Sequence, residues 1–595
     1  MSIPAISFLR IGRPVLTAAL AVLLASCGGG GNPTPPAPTD ALALFNQQKL
    51  DWQACDPSLF DDSLVYIKEL GARVTCASMR APLDYNNPAL GELQVALMRA
   101  GAEQPQQRLG AILFNPGGPG NDGLTLGARF ASLFAIANPA NPTGKLLKDM
   151  GGRYDLIGFS PRGVGASTTL TCVSSYLTQL TNDPTFDRSL ANTQNIRSNE
   201  RLEAETCAKN PLTKHIHTDA TARDMDLVRR LMGEEKLNYI GFSYGTWLGA
   251  WYASLFPDRV GRMLLDSSMN VAGTFDDAKL LQQMGKQRVM AEVMFPYAAR
   301  NPKLFNLGDN AGQIQARLLG LPPTIKSSVV ASLNFNKAQD VDESLLHITA
   351  AFGLQALRDA MPGADPRSID AAIQTYAFTQ GANNAKAASL AAQLNRALLE
   401  VPQRGPVALE PQSASRISVT CNDLATTGDE LYWLGVGNEY AARYPLTGNF
   451  GTNHCLYWGA PYGPRPPLAN AAKAAPLLML QSRRDALTPI EGALKTLDAL
   501  PNASMIVIEN EYGHGLFPYD EGCVAAQVAG YFVNGTVPPR ISSCAGKPLP
   551  ADVPLATTPK SSKKAGVAPE TKTYTDPARA ELLRQGIHKR IPDTL

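Results

Sequence analysis

The sequence predicts an α/β fold: a mostly parallel sheet with helices on both faces and a large helical insertion. Three observations carry that prediction. Short apolar runs of β character alternate with helical stretches, the pattern of repeated βαβ units. These runs stop near residue 270 and resume near residue 470, and Ala-, Gln- and Leu-rich helical patterns fill the interval. Of 595 residues, 44% are apolar and 18% charged, enough for a large core, while 50 glycines and 45 prolines give more turns than a helical bundle uses. With 54 basic and 52 acidic residues the formal charge is +2, so no strong field points to nucleic acid. A small molecule or peptide is the expected partner.

Taken in order, the first element is an export signal over residues 1–26. Arg10 and Arg13 precede a mostly apolar run from Val15 to Leu24, which is too short to span a bilayer. Leu24-Ala25-Ser26-Cys27 resembles the bacterial lipobox, which implies lipidation of Cys27 and membrane contact through that anchor only. Gly28 at the next position resembles outer-membrane sorting, so the expected location is an outer-membrane anchor or the periplasmic or extracellular space. Residues 27–45, with the stretch Gly28 to Asp40, have the Gly- and Pro-rich composition of a tether. Nine cysteines leave eight besides Cys27, an even number that predicts disulfides in an exported chain. Their connectivity is formally open among 105 pairings. They fall in local couples: Cys55 with Cys76, Cys172 with Cys207, Cys421 with Cys455, and Cys523 with Cys544.

The sheet is expected in two parts, residues 46–269 and 471–545. Its strands are read at Gly110 to Phe114, Tyr154 to Phe159, Leu237 to Phe242, Met263 to Asp266, Pro476 to Leu480 and Met505 to Ile508. Thr221 to Met232 places Met225, Leu227, Val228, Leu231 and Met232 near one helical face, as a sheet-covering helix requires. Residues 270–470 read as a helical lid. Residues 546–595 read as a polar tail, too rich in Pro and Lys to pack, with one short helix near Pro577 to Gln585.

Gly241-Phe242-Ser243-Tyr244-Gly245 sits between a strand and a helical stretch, the context a G-x-S-x-G nucleophile elbow needs. A serine hydroxyl requires a base and an orienting acid, and in an α/β-hydrolase these follow in the order Ser, Asp/Glu, His. Asp485 and His514 each come just after a predicted strand, which predicts a Ser243, Asp485, His514 triad. Asp266 is the rival acid, although its early position favours a structural role. Among the six histidines, His215 and His217 read as a solvated turn rather than a metal pair, and His347, His454 and His588 fall outside the pattern. The loop Asn115 to Gly123 contains a literal G-x-G-x-x-G from Gly118 to Gly123. Pro119 inside it, and no acidic residue at a second strand end, argue against a dinucleotide. It reads instead as an oxyanion loop, with N–H groups near Gly118 and of Tyr244 as donors. No metal or cofactor is called for.

GGPG, YDLIGFSPRGVGAS, TARDMDLVRRLMG, LNYIGFSYGTWLGAWYASLFPDRVGRMLLD, RRDALTP and GHG, together with Cys523 to Cys544, resemble the secreted tripeptidyl aminopeptidase and prolyl aminopeptidase-like α/β-hydrolases of peptidase family S33. The resemblance covers roughly residues 52–544. It implies a lid over the site, a characteristic carboxyl-terminal segment, and release of short pieces from a free peptide N-terminus. It carries the nucleophile to Ser243, the acid to Asp485, the base to His514 and an oxyanion donor to about Gly118. Pro116, Asn121-Asp122 and Ser160 depart from the family pattern, which bears on substrate preference. An exopeptidase calls for a carboxylate in or near the lid to hold the substrate ammonium, and Asp423 is the candidate, against the plainer reading of a solvated loop acid. A carboxylesterase with the same triad, and a noncatalytic surface lipoprotein, are the alternative readings.

Overall fold

A computed structural model describes residues 42–59, 65–448, 453–459, 461, 463–519, 522–553 and 573–591. The export signal, Cys27 and the tether up to residue 41 lie outside the described residues. The described residues hold eleven strands: β1 (Val74–Pro82), β2 (Glu92–Ala100), β3 (Gly110–Asn115), β4 (Tyr154–Phe159), β5 (Cys172–Leu177), β6 (Leu237–Phe242), β7 (Val260–Asp266), β8 (Pro406–Leu409), β9 (Leu477–Ser482), β10 (Ala503–Glu509) and β11 (Ile541–Ala545). Nine of them form one sheet in the order β1-β2-β4-β3-β6-β7-β9-β10-β11. β2 runs antiparallel to both β1 and β4, and every pairing from β4 onward is parallel. The six runs read from the sequence lie on β3, β4, β6, β7, β9 and β10.

The parallel strands are continuous apolar runs because helices cover both faces. In β3, Ala111 and Leu113 point to one core while Ile112 and Phe114 point to the other, the period of two that a pleated strand imposes. Phe114 stacks on Phe130 at 4.7 Å between ring centroids, and Phe130 on Phe517 at 5.7 Å, tying the sheet to helix Leu126–Ala135 and to the loop after β10. From β3 the chain moves to one side, to β4, and then crosses back to β6. The carboxyl ends of β3 and β6 therefore flank a topological switch point, where open α/β sheets bind ligands.

Among the described residues, no strand of the central sheet comes from residues 270–470. That segment is mainly helical: Phe275–Val289, Val341–Ala360 and Asn383–Ala397 share a core that includes Val289, Phe295, Leu345 and Phe352, Pro411–Asp423 sends Ala414 and Val419 into the core of the sheet, and Glu430–Arg443 follows. An earlier part of the chain joins it: β5 pairs with β8 in a two-stranded ribbon, and helix Leu190–Ala208 follows β5. Disulfides Cys172–Cys207 and Cys421–Cys455 staple this region, and Cys55–Cys76 and Cys523–Cys544 staple the sheet edges. Among the described residues no helix is long and apolar enough to cross a membrane.

The tail differs from the expectation. Residues 573–591 pack back on the body, with Asn138 N donating to Thr573 O at 2.6 Å and Thr575 N to Ile136 O at 3.0 Å. Helix Pro577–His588 buries Ala580, Leu583 and Ile587. These lie three and four residues apart on one face, a short amphipathic signal that the Pro- and Lys-rich stretch before it obscures.

Candidate active site

Ser243 follows β6 at φ 55° and ψ −120°, a conformation rare for a residue with a side chain, and helix Tyr244–Leu255 starts immediately after it. Its N–H donates to Asp266 O on the neighbouring strand at 3.0 Å. The flanking glycines are sterically required. A Cβ on Gly241 would lie 2.4 Å from the Tyr239 ring, and one on Gly245 would lie 3.0 Å from Asn115 O.

The loop after β3 rests on this elbow. A Cβ on Gly117 would stand 2.5 Å from Phe242 O and 3.2 Å from Tyr244 N, so only a bare backbone fits. Gly117 N–H is already used, donating to Asn115 Oδ1 at 3.0 Å. Gly118 N–H is the next amide along, and Tyr244 N–H, first in its helix, has no carbonyl one turn back to serve. These are the two donors expected from the sequence, and the loop's contact with the elbow is made by Gly117.

Asp485 and His514 meet at the ends of β9 and β10, both fully buried. His514 Nδ1 lies 3.1 and 3.0 Å from Asp485 Oδ1 and Oδ2. The carboxylate is fixed by Leu487 N and Thr488 N, each donating to Oδ1 at 2.8 Å, and by Thr488 Oγ1 donating to Oδ2 at 3.1 Å. His514 Nε2 is buried and makes no hydrogen bond. With Nδ1 bound to the carboxylate, Nε2 is the ring nitrogen left to take a proton.

The backbone around His514 is held from several directions. Glu511 Oε1 accepts from Gly513 N at 2.8 Å, Ser482 Oγ donates to Gly513 O, Asn336 O accepts from His514 N at 2.7 Å and Ser267 Oγ accepts from Gly515 N at 2.8 Å. Asp266 Oδ1 accepts from Leu516 N at 2.9 Å and its Oδ2 from Phe517 N at 2.6 Å. The rival acid thus supports the histidine's loop instead of its ring. Burial raises its pKa to about 7 against those hydrogen bonds.

A family model described as the alpha/beta hydrolase fold matches residues 110–521. The chain belongs to the alpha/beta hydrolase fold family. It is 28% identical over 526 residues to a tripeptidyl aminopeptidase of Streptomyces coelicolor, covering 86% of this chain and 88% of that one. It is 26% identical over 528 residues to the serine protease Hip1 of Mycobacterium tuberculosis, with 84% and 91% covered. It is 27% identical over 543 residues to a carboxylesterase B of the same organism, with 87% and 92% covered. The relatives of this hydrolase-fold chain are thus named for both peptide and ester cleavage.

Elsewhere in the hydrolase the structure corrects the sequence reading. Asp423 is neither a solvated loop acid nor an open anion. It is 2% exposed, accepts from Thr218 N at 2.8 Å and from Thr218 Oγ1, and takes Trp247 Nε1 at 3.2 Å. Burial raises its pKa to about 7. Thr218 Oγ1 also contacts Tyr244 OH at 2.7 Å, so Asp423 braces the helix after Ser243. His215 and His217 are buried, not solvated. His217 Nδ1 accepts from Ala220 N at 3.2 Å and caps helix Thr218–Leu231, while burial holds its pKa well below the usual value. No cluster of His, Cys, Asp and Glu able to hold a metal occurs among the described residues. Two departures from the family pattern meet in one contact: Ser160 Oγ donates to Asp122 Oδ1 at 2.8 Å.

Sequence reasoning missed Glu200. It sits on helix Leu190–Ala208, is 3% exposed, and lies beside the Asn453 backbone N–H, which favours its charged form. Burial raises its pKa to about 8. Lys279 and Arg197 are the nearby cations. Phe275, one helical turn before Lys279, packs on Tyr244 at 6.2 Å, and a Cβ on Gly120 would touch Arg416 N at 3.2 Å. Glu200 thus lies beside the helix whose first residue, Phe275, packs on Tyr244.

Proposed function

We propose that this hydrolase-fold protein is a serine peptidase that releases short pieces from the free N-terminus of peptides through an acyl-enzyme. The observation that carries the reading is the buried Asp485–His514 pair, with Nε2 unpaired, after the strands that follow the strained Ser243 elbow. Ser243 attacks the scissile carbonyl while His514 Nε2 takes its proton, and Asp485 holds the imidazole tautomer and stabilises the imidazolium. The N–H groups of Gly118 and Tyr244 receive the oxyanion, and His514 returns the proton to the leaving amine. Water then attacks the ester carbonyl while giving a proton to His514, which passes it to Ser243 Oγ as the acyl group leaves as a carboxylic acid. No step calls for a metal or cofactor.

The exopeptidase part rests on the aminopeptidase relative and on Glu200, a buried carboxyl whose raised pKa keeps it protonated in the free protein and which takes up charge when a substrate ammonium sits beside it. The carboxylesterase relative supports ester cleavage by the same residues as the second reading. One assay separates them: aminoacyl, dipeptidyl and tripeptidyl chromogenic amides, free and amino-blocked, beside aryl esters. Preference for free amides supports the proposal; equal cleavage of blocked amides removes the exopeptidase assignment, and hydrolysis of esters alone replaces it. Four disulfides fit an oxidising compartment, and we place the protein outside the cytoplasm, anchored at Cys27. Mass spectrometry of the mature chain tests the anchor, which an unmodified start elsewhere would disprove.

A further inference from the structure

The most carboxyl-terminal described residues lie against the two loops that the proposed chemistry depends on. His588 donates to the carbonyl of Gly515, the residue after His514, and its Nδ1 is buried without a partner. The bond therefore comes from Nε2–H. Burial and the nearby Lys337, Lys547 and Arg584 lower the pKa of His588 to about 3, which keeps the ring neutral with a single N–H to give. Ile591 packs on the same glycine: a Cβ on Gly515, which has φ +68°, would fall 2.6 Å from Ile591 Cδ1. Between these two, Arg590 O accepts from Asn121 Nδ2 at 3.2 Å, in the loop after β3. Asn121 Oδ1 in turn accepts from Gln412 Nε2 at 2.7 Å, on the insertion.

Gly515 N–H is taken by Ser267 Oγ, so the carbonyl of Gly515 is held from the tail and its amide from β7. Of the backbone groups flanking His514, this carbonyl and the Gly515 Cα surface are secured from the far end of the chain. The helix that brings His588 there is itself docked, with Ile587 buried and Gly586 close against Arg129 of helix Leu126–Ala135.

We infer that residues 573–591 form a strap that positions the active site, with His588 and Ile591 fixing the His514 loop and the Arg590 carbonyl fixing the glycine loop. The inference rests on the reading of Ser243, Asp485 and His514 as a triad. None of the three strap residues touches the reacting atoms; each acts through a loop that carries a catalytic group. A loss of register at the histidine lowers turnover without weakening substrate binding, because misplacing a reacting group by about 1 Å costs roughly 100-fold.

The test uses the full-length protein with His588→Ala, His588→Gln and Ile591→Ala. Three quantities are read: kcat and KM separately, the pH profile of kcat/KM, and the rate at which a fluorophosphonate probe labels Ser243, all per folded molecule as judged from unfolding midpoints. The strap predicts a fall in kcat and in labelling rate of about 10- to 100-fold for His588→Ala, with KM within about twofold and a displaced acid limb of the pH profile. His588→Gln, which can still donate to Gly515, recovers most of the loss. If kcat, labelling and pH profile are unchanged per folded molecule, or if the loss only follows the unfolding midpoint, the strap is a structural element alone and the inference fails. Failure of the triad reading looks different, since the wild-type protein would then resist the probe at Ser243.

Discussion

Replacing Glu200 by Gln exchanges a titratable group for a neutral one of the same shape at a site where the folded protein holds the proton. The carboxyl has a folded pKa of about 8 against a usual value of 4.5, because burial penalises its charge. Between those values the folded chain keeps a proton that the unfolded chain has lost. The folded state then binds more protons, so stability falls as pH rises from about 4.5 to 8. Each pKa unit corresponds to about 1.4 kcal/mol, so the penalty has an upper bound of about 5 kcal/mol, and relaxation leaves on the order of 2–3 kcal/mol. Urea unfolding of Glu200→Gln and wild type is expected to coincide within about 1 kcal/mol at pH 5, with the variant ahead by about 2–3 kcal/mol at pH 8.5. Catalysis moves the other way. Loss of a charge-assisted bond to the substrate ammonium raises KM for free peptide amides by roughly 10- to 100-fold, while amino-blocked substrates are unaffected. Unfolding curves that stay parallel at both pH values would refute the burial argument, and an unchanged KM for free amides would refute the amine contact.

Ser243→Ala is expected to lower turnover by several orders of magnitude with an unchanged unfolding midpoint, by analogy with knockouts of about a millionfold in a serine protease triad; a folded variant that keeps its activity sinks the mechanism. Asp423→Ala strips the acceptor from Thr218 N, Thr218 Oγ1 and Trp247 Nε1. At 1–3 kcal/mol for each orphaned donor, reduced by relaxation, the loss is about 3–5 kcal/mol in denaturant titrations. Asp423→Asn keeps the ratio of free to blocked substrate cleavage; a KM rise confined to free amides would restore the amine role that the sequence suggested.

What the sequence made legible was whatever has a local cause. β3, β4, β6 and β9 are buried along their whole length, and such strands appear as unbroken apolar runs. The elbow shows as two glycines around a serine because Tyr239 and Asn115 leave no room for a Cβ. β1 and β2 escaped because both carry exposed or half-buried residues along their length, and β11 because Ile541–Ala545 is a short, mostly exposed edge strand. Asp423 and Glu200 show why carboxylates are harder to read. Their burial is made by helices far away in sequence, so a polar helix such as Leu190–Ala208 carries no mark of the one acid that faces inward. The packed tail was hidden by its neighbours, three apolar positions averaged into a stretch rich in proline and lysine.

The loop that carries His514 has a further consequence for how the protein comes into being. Its five residues, 513–517, are tied down from β7, β9, the insertion and the last described helix. Pairings over such sequence separations form late, because loop closure must be met before the contacts reward it. A chain emerging amino terminus first carries Ser243 long before Asp485 and His514, so the proposed triad is complete only once the carboxyl-terminal strands and helix have joined the sheet.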